Sequence, residues 1–344
     1  MKKSNVINLI RYHAESNDTS FRNEAYEIAR DFDKSGDSEL ASYVMALLSE
    51  AGTFTTQSFE PTTKYLSRVA SPTEPLPLPD AIADDLKGII NAVSHDRGVS
   101  KFLFQGPPGS GKTESAKQVA RLLARDLYWV DFSAVIDSKL GQTSKNIAAL
   151  FKEINRFPNP SKITVLFDEI DAIILDRISS NDVREMGRAT STFLRELDAA
   201  DPRVVIIATT NLFKGFDKAI VRRFDYVVDF ARYDEENLRE AAETLLNTNL
   251  DRFKTKGRNK HLFRRILDQA APLPYPGDMS NIIKTAIAFS DPSDDYDYLR
   301  RLYKALAQNP VDTIRDLKDQ GFTMGEIALL TGVSKSTVSR ELKE

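Results

Sequence analysis

Cysteine is absent from this chain of 344 residues, and histidine occurs only three times. The lack of cysteine excludes disulfide bonds, thiolate zinc sites and cysteine nucleophiles. The histidines are scattered along the chain, which argues against a histidine-based metal centre. Long apolar runs are also missing, since a stretch such as Val204–Ala208 is far shorter than the ~20 residues that span a bilayer. Charged residues interrupt the N-terminus before a signal-peptide core can form, so we predict a cytoplasmic protein with no membrane partner.

The chain also has no large excess of positive or negative charge. The chain has 47 lysines and arginines against 50 aspartates and glutamates, a formal net charge of −3. This balance excludes a protein that coats nucleic acid by bulk positive charge, although it leaves room for a local basic patch. The composition is ordinary for a soluble globular protein, with 41% hydrophobic and 28% charged residues. The length predicts roughly two to three domains.

The first 80 residues differ in character from the rest of the chain. Apolar residues at spacings of three and four predict a helical hairpin or three-helix unit over residues 1–50. Residues 51–80 are polar at first and then carry Pro72, Pro75, Pro77 and Pro79. Alternating prolines favour an extended conformation, so this segment is predicted to be a semi-rigid linker.

From residue 81, short apolar strands alternate with longer helices. The predicted strands are Lys101–Gln105, Tyr128–Phe132, Ile163–Asp168, Val204–Thr209 and Tyr226–Phe230. Helices are predicted between them near 112–125, 144–156 and 184–199. This alternation predicts an α/β fold over residues 81–232, with a parallel sheet covered by helices on both faces. Residues 233–309 are predicted to be all-helical, and residues 310–344 to form a separate small unit after Asn309-Pro310.

A glycine-rich segment follows the first strand of this α/β region. Gly106-Pro107-Pro108-Gly109-Ser110-Gly111-Lys112-Thr113 fits the phosphate-binding pattern G-x-x-x-x-G-K-[ST]. Glycines let backbone N–H groups turn inward around phosphate oxygens, and the N-terminus of the following helix favours the same anion. Lys112 is expected on the β- and γ-phosphates, and the Thr113 hydroxyl is expected to ligate Mg²⁺. We add Glu114, the next residue, to the predicted nucleotide-binding set.

Two carboxylates, Asp168 and Glu169, follow the apolar strand that begins at Ile163. In an open parallel sheet, ligands bind at the carboxyl ends of the strands. Asp168 is therefore predicted to hold Mg²⁺, while Glu169 is placed to orient and deprotonate an attacking water. Acids after a strand are also common as helix N-caps, which is the alternative interpretation.

Taken together, these motifs resemble an AAA+ ATPase of the AAA clade that includes katanin- and spastin-like proteins. The resemblance covers about residues 81–305, with Gly106–Thr113 as Walker A and Asp168-Glu169-Ile170-Asp171 as Walker B. Asn211, in Thr209-Thr210-Asn211 at a strand end, resembles sensor 1, which helps to place the lytic water; the alternative is a plain turn residue. The resemblance implies ATP and Mg²⁺ as ligands, and a ring oligomer, a hexamer in this family.

Further segments extend the resemblance. Arg222 and Arg223 are similar to the paired arginines that reach a neighbouring subunit's ATP site; ordinary surface salt bridges are the alternative. The resemblance makes residues 233–309 a helical lid, in which Gly277 and Asp278 resemble a segment near the adenine and ribose. Arg188 is only a weak match to a recurrent basic position. One segment departs from the family: Lys139 stands where translocating rings carry a pore aromatic, which puts general polypeptide threading in doubt.

About 25 of the last 35 residues resemble the helix-turn-helix of resolvases and insertion-sequence transposases. Thr323 and Ser334 are predicted to cap two helices, with Gly332 making the turn between them. Candidate DNA contacts come from the second of these helices: Lys335, Ser336, Thr337, Ser339 and Arg340. The segment carries five basic and six acidic residues, so a single copy is expected to bind DNA weakly. The alternative is a helical tail that packs on the lid or on a partner.

These features leave two hypotheses for the role of the chain. The first is an ATPase ring that remodels or regulates a protein partner, with residues 1–50 as the docking unit. The short N-terminal unit before a lone AAA module also resembles bacterial ATPases thought to work beside a subtilisin-like protease. The second hypothesis is an ATP-switched DNA-binding regulator. An inactive scaffold is disfavoured because Lys112, Asp168, Glu169, Asn211 and both arginines are present.

Overall fold

The computed structural model describes residues 3–15, 18–48, 63–69, 77–137, 141–171, 183–212, 218–255 and 257–343. The chain divides into two compact units, residues 1–62 and 63–344. The described part of the first unit holds three helices: α1 (Lys3–Ala14), α2 (Asp18–Lys34) and α3 (Ser38–Leu48). Its buried apolar side chains include Ala25, Ile28 and Ala29 of α2 and Ala41 of α3. This agrees with the helical unit predicted for residues 1–50.

A six-stranded sheet organises the second unit. Its strands are β1 (Leu66–Val69), β2 (Lys101–Gln105), β3 (Asp126–Val130), β4 (Ile163–Phe167), β5 (Val205–Thr210) and β6 (Tyr226–Asp229). Their spatial order is β1-β3-β4-β5-β2-β6, and every pairing except that of β1 with β3 is parallel. Gln105 pairs with Thr210, and Phe167 pairs with Ala208. The carboxyl ends of β2, β4 and β5 therefore meet at one edge of the sheet.

Helices cover both faces of this sheet. Those of the α/β region are α4 (Asp80–Ser94), α5 (Lys112–Leu122), α6 (Phe132–Val135), α7 (Gln142–Ile154), α8 (Val183–Asp198) and α9 (Lys218–Val221). Neighbouring strand residues serve opposite cores: Val165 packs with α7 and α8, whereas Leu166 packs with α4 and α5. This follows from the period of two in a strand. The predicted α/β fold is confirmed.

Strand β1 was not foreseen, because the sequence assigned its residues to the linker of residues 51–80. It runs antiparallel to β3 and pairs Leu66 with Val130. Tyr65 and Leu66 are buried, and the Tyr65 hydroxyl donates to Asn146 Oδ1 over 3.2 Å. A four-residue edge strand is too short to show a hydrophobic period, and its partner alone decides that it forms. Most of the predicted linker lies outside the described residues.

Among the described residues after β6, seven further helices follow: α10 (Glu235–Arg252), α11 (Lys260–Asp268), α12 (Pro276–Ala288), α13 (Asp297–Leu306), α14 (Ile314–Asp319), α15 (Met324–Thr331) and α16 (Lys335–Glu341). One hydrophobic cluster joins Leu262 and Leu302 to Phe322, Ile327 and Val338. The core thus continues across residue 310, where the sequence predicted a separate unit. None of the described helices is long and apolar enough to cross a membrane.

The caps of the last two helices agree with the sequence prediction. Thr323 accepts a hydrogen bond from the Glu326 N–H and completes a capping box at the start of α15. Gly332 ends this helix in the left-handed conformation, with φ of +78°. Ser334 then caps α16 by accepting from the Thr337 N–H. These three positions fix the tight turn between α15 and α16.

Candidate active site

The glycine-rich loop connects the end of β2 to the start of α5. Gly106 has φ of +147°, and a Cβ added there would lie 2.8 Å from Phe230 Cβ. Only glycine allows the loop to leave β2 so close to the end of β6. Ser110 is buried and donates through Oγ to the Pro107 carbonyl over 2.7 Å, whereas Pro108 is exposed. The loop therefore has an internal hydrogen bond before any ligand binds.

Lys112, the first residue of α5, points back into this loop. Its ammonium donates to the carbonyls of Gly106 and Pro107, both over 2.7 Å, and to Asn211 Oδ1 over 2.9 Å. Burial lowers the pKa of Lys112 to about 8. Desolvation of the charged form outweighs the attraction of Asp168, the largest opposing influence. The lysine is thus held at the predicted phosphate site by three oxygen atoms.

The predicted metal ligands Thr113 and Asp168 are brought together. The Thr113 hydroxyl donates to Asp168 Oδ1 over 2.7 Å, and the Thr209 hydroxyl donates to the same oxygen over 2.8 Å. A hydroxyl and a carboxylate are hard oxygen donors of the kind Mg²⁺ takes when it keeps several waters and binds phosphate. The residues at the end of β4 and the start of α5 therefore fit this ion.

Glu169 and Asn211 are also neighbours. The Asn211 side-chain amide donates to Glu169 Oε1 over 3.1 Å, while its oxygen accepts from Lys112. Asn211 thus connects the predicted general base to the predicted phosphate-binding lysine. Glu169 adopts φ of +55°, a left-handed conformation that is uncommon for a residue with a side chain.

Asp171 fixes the backbone at the end of β5. Its Oδ2 accepts from the Asn211 N–H over 2.9 Å, and its Oδ1 accepts a short hydrogen bond from the Thr210 hydroxyl. Asp171 and Thr209 stand within the motifs of the sequence, but the motifs alone predicted no role for either residue. The signal that could have found them is their place: Thr209 lies near the end of β5 and Asp171 lies shortly after β4, two buried strands whose carboxyl ends meet.

The helical lid of residues 233–309 contacts the glycine-rich loop. The N–H of Gly277, in the first turn of α12, donates to the Gly109 carbonyl over 2.8 Å. The Asp278 carboxylate lies beside Gly109, within 3.4 Å of where a Cβ would stand. Tyr233 adds a third contact, since its hydroxyl donates to the Ser110 carbonyl over 3.1 Å. Burial raises the pKa of Tyr233, which keeps this phenol protonated and able to donate.

Other predicted residues lie outside this cluster or have partners of their own. Glu114 pairs with Lys117 over 2.6 Å, one turn along α5. Arg222 and Arg223 follow α9; Arg223 forms a 2.6 Å ion pair with Asp198 of α8. Arg222 is exposed and forms no ion pair within the described part of the chain. Lys139 of the predicted pore segment lies outside the described residues, and Arg188 is exposed on α8.

The candidate DNA-contacting residues all lie on α16. Lys335, Ser336 and Arg340 are exposed, while Val338 is buried in the cluster shared with the lid. Thr337 and Ser339 are half-buried. The Ser334 hydroxyl lies 2.7 Å from that of Ser336 and 2.9 Å from that of Thr337. The exposed face of α16 thus carries two cations.

The fold and the site are those of a P-loop nucleotide-binding domain. A comparison with models of known protein families narrows this class of protein further. The family model "ATPase family associated with various cellular activities (AAA)" matches residues 102–232. Residues 102–232 are therefore similar to the AAA ATPase family.

Three of the curated relatives to which the chain is similar match over 133 to 146 residues. An uncharacterized AAA family ATPase of Sinorhizobium fredii is 39% identical over 133 residues, 39% of each chain. A spastin homolog of Caenorhabditis elegans is 35% identical over 146 residues, 41% of this chain and 28% of that protein. A proteasome-activating nucleotidase of Methanococcus vannielii is 36% identical over 140 residues, 39% of this chain and 34% of that protein. The chain thus spans well under half the length of each.

Two solved structures share the fold. The FIGL-1 AAA domain superposes with a TM-score of 0.51 at 19% identity, covering 75% of this chain and 90% of that chain. A chain of the HORMA:CdnC:Trip13 complex of E. coli MS115-1 gives 0.52 at 18% identity, covering 67% of this chain and 90% of that chain. Both structural similarities cover more of the chain than residues 102–232, and at these sequence identities they show a shared fold alone.

Proposed function

We propose that this chain is a cytoplasmic ATPase that works as an oligomeric ring to remodel or regulate a partner protein. The observation that carries the proposal is the connected set of contacts from Lys112 through Asn211 to Glu169, beside the Thr113–Asp168 pair. Every group that phosphoryl transfer to water needs within one subunit is present at one sheet edge.

The chemistry follows from where these groups point. Thr113 and Asp168 would hold Mg²⁺, which supplies positive charge to phosphate oxygens when bound. Lys112 would exchange its carbonyl contacts for the β- and γ-phosphates of ATP, where its charge offsets the charge that develops during transfer. Glu169 would take the proton of the attacking water, and Asn211 would hold Glu169 and the water in place. The Gly109–Gly277 contact would keep the lid over the nucleotide.

The proposed ring assigns Arg222 and Arg223 to the ATP site of the neighbouring subunit. Two features support this assignment. Arg222 is exposed, and Arg223 is held by an exposed ion pair of a kind worth only about 0–1 kcal/mol, so it is easily exchanged. A permanently charged, planar guanidinium suits the developing charge on the γ-phosphate. We propose a hexamer, as in the family that the sequence resembles.

A protein partner is proposed to dock on residues 1–50. The described helices there expose Ile7 and Ile10 of α1. Exposed apolar residues act as a binding surface where they form a contiguous patch. One relative is named an activator of the proteasome, which is consistent with a protease as the partner. The sequence resemblance to ATPases beside subtilisin-like proteases points to the same class.

A second candidate function, DNA binding through α15 and α16, has one observation in its favour. Lys335 and Arg340 lie on the exposed side of α16, after a turn fixed by Gly332. Cations at these positions could reach phosphates and base edges. Six copies on a ring would gain affinity through avidity, which would offset the low charge of one copy.

The experiment that tests the primary proposal is the rate of phosphate release from ATP against protein concentration, for the wild type and for K112A. We expect a rate per subunit that rises with concentration alongside assembly seen by light scattering, and no turnover by K112A. A wild-type protein that releases no phosphate at any concentration would remove the ATPase proposal. A rate that is constant with concentration would retain ATP hydrolysis and reject the shared site between subunits.

A further inference from the structure

Thr209, near the end of β5, holds three consecutive residues of the turn that follows β4. Its side chain is fully buried. Its hydroxyl donates to Asp168 Oδ1 over 2.8 Å and accepts from the Glu169 N–H over 2.8 Å. Its carbonyl accepts from the Ile170 N–H over 3.0 Å. One residue of β5 thus contacts the predicted metal ligand, the predicted general base and the residue after it.

The direction of the Thr209 hydroxyl proton is fixed by these partners. A backbone N–H can only donate, so the bond from Glu169 occupies a lone pair of the hydroxyl. The single proton of Thr209 is therefore available for Asp168. The same carboxylate oxygen also accepts from Thr113. Two hydroxyls, one from the P-loop helix and one from the sheet, consequently hold Asp168 in one orientation.

The backbone contact has its own consequence for Glu169. This residue has φ of +55°, which a non-glycine residue adopts only where its surroundings demand it. Thr209 meets that requirement by accepting hydrogen bonds from the N–H groups of Glu169 and Ile170. The left-handed turn determines where the Glu169 side chain emerges, opposite the amide of Asn211.

We propose that Thr209 is a positioning residue for ATP hydrolysis, acting through Asp168 and Glu169 rather than on the substrate. The inference rests on the proposed ATPase function and deepens it. The Thr209 hydroxyl presents the Asp168 carboxylate to Mg²⁺ and fixes the turn from which Glu169 reaches the attacking water. A hydrogen bond that holds a reacting group in place raises kcat without a matching change in KM.

The test compares T209V, which keeps the shape but loses the hydroxyl, with T209S, which keeps the hydroxyl. The matched control is T164V. Thr164, on β4, is also fully buried, and its hydroxyl has no hydrogen-bond partner within the described residues. For each protein we would measure kcat and KM for ATP, thermal unfolding, and the affinity for a fluorescent ATP analogue across a Mg²⁺ titration and in EDTA.

For T209V we expect kcat to fall about tenfold to a hundredfold, the cost of one hydrogen bond to a charged group, with KM changed less than threefold. We expect the Mg²⁺ concentration that half-saturates analogue binding to rise about tenfold, because Asp168 loses one of its two holders. Affinity in EDTA should stay unchanged. T209S should recover most of both losses, and T164V should match the wild type.

Several outcomes would overturn the inference. T209V that matches T164V in kcat and in Mg²⁺ dependence would show that the hydroxyl positions nothing. If T209S loses as much kcat and as much Mg²⁺ affinity as T209V, the losses come from altered packing and not from the missing hydroxyl. If the wild type itself shows no turnover, the ATPase proposal fails, yet the Mg²⁺ dependence of analogue binding still decides the role of Thr209. Should T209V not fold, T209A compared with T209S answers the same question.

Discussion

The backbone N–H of Gly277 donates to the carbonyl of Gly109, so that the lid helix α12 lies in backbone contact with the phosphate-binding loop. A Cβ on Gly277 would stand 2.9 Å from Gly109 Cα and 3.1 Å from its carbonyl oxygen. No side chain fits between the two segments. The position of the lid and the conformation of the loop are consequently linked through this backbone contact.

The first prediction concerns that contact. G277A should push α12 away from the loop and weaken ATP affinity about tenfold, because the obstructing atoms are backbone and cannot rotate aside. The measurement is a titration with a fluorescent ATP analogue. G88A is the control: a Cβ at Gly88 in α4 meets nothing within 4 Å, and the change should leave affinity intact and raise stability by about 0.5–1 kcal/mol. Equal affinity of both variants would contradict the proposed link.

The second prediction concerns Glu169 as the general base. E169Q keeps a side-chain oxygen that can accept from the Asn211 amide, but it cannot take a proton from water. We expect the variant to bind ATP with near wild-type affinity and to lose turnover by about a hundredfold or more. Filter binding with labelled ATP and phosphate release measure the two quantities. Normal turnover in E169Q would reassign the base.

The third prediction concerns the arginines after α9. R222A and R223A should each lower the ATPase rate by about a hundredfold or more if they serve a neighbouring site. D198A should keep activity, because it only frees Arg223 from an exposed ion pair.

A mixing experiment decides whether the arginines act between subunits. K112A lacks a working site but has intact arginines, whereas R222A has an intact site. Each alone should be inactive, and an equimolar mixture should regain part of the wild-type rate. A mixture as inactive as its components would place the arginines in a structural role.

The fourth prediction is a pH dependence of nucleotide binding. Burial lowers the pKa of Lys112 to about 8 in the free protein. Bound phosphates attract the ammonium and raise its pKa, so binding takes up a proton above pH 8. ATP affinity should therefore fall by up to about tenfold per pH unit as pH rises above 8. K112R, whose guanidinium stays charged, should show a flatter profile in the same titration.

The fifth prediction separates the DNA-binding hypothesis from a packing role of the C-terminal helices. R340E should weaken a DNA mobility shift and reduce its salt dependence, whereas K318E should not, because Lys318 lies on α14 and not on α16. Both residues are exposed, so the two variants change charge equally. If R340E shifts DNA as strongly as the wild type, or if the wild type gives no shift, α14–α16 have only a packing role as part of the lid.

The sequence by itself determined the α/β fold, the P-loop, the acids after β4 and the caps of α15 and α16. Each of these features is encoded by a short contiguous run of residues. Examples are the glycines around Lys112 and the capping box formed by Thr323 and Glu326, three residues apart. Tertiary structure alone decided the rest. Thr209 meets Asp168 across 41 residues of sequence, and the edge strand β1 exists only because β3 pairs with it. Arg300 donates to the Leu329 carbonyl over 2.7 Å and helps to attach α15 to the lid. Such contacts depend on which strands and helices become neighbours, and no local run of residues specifies that.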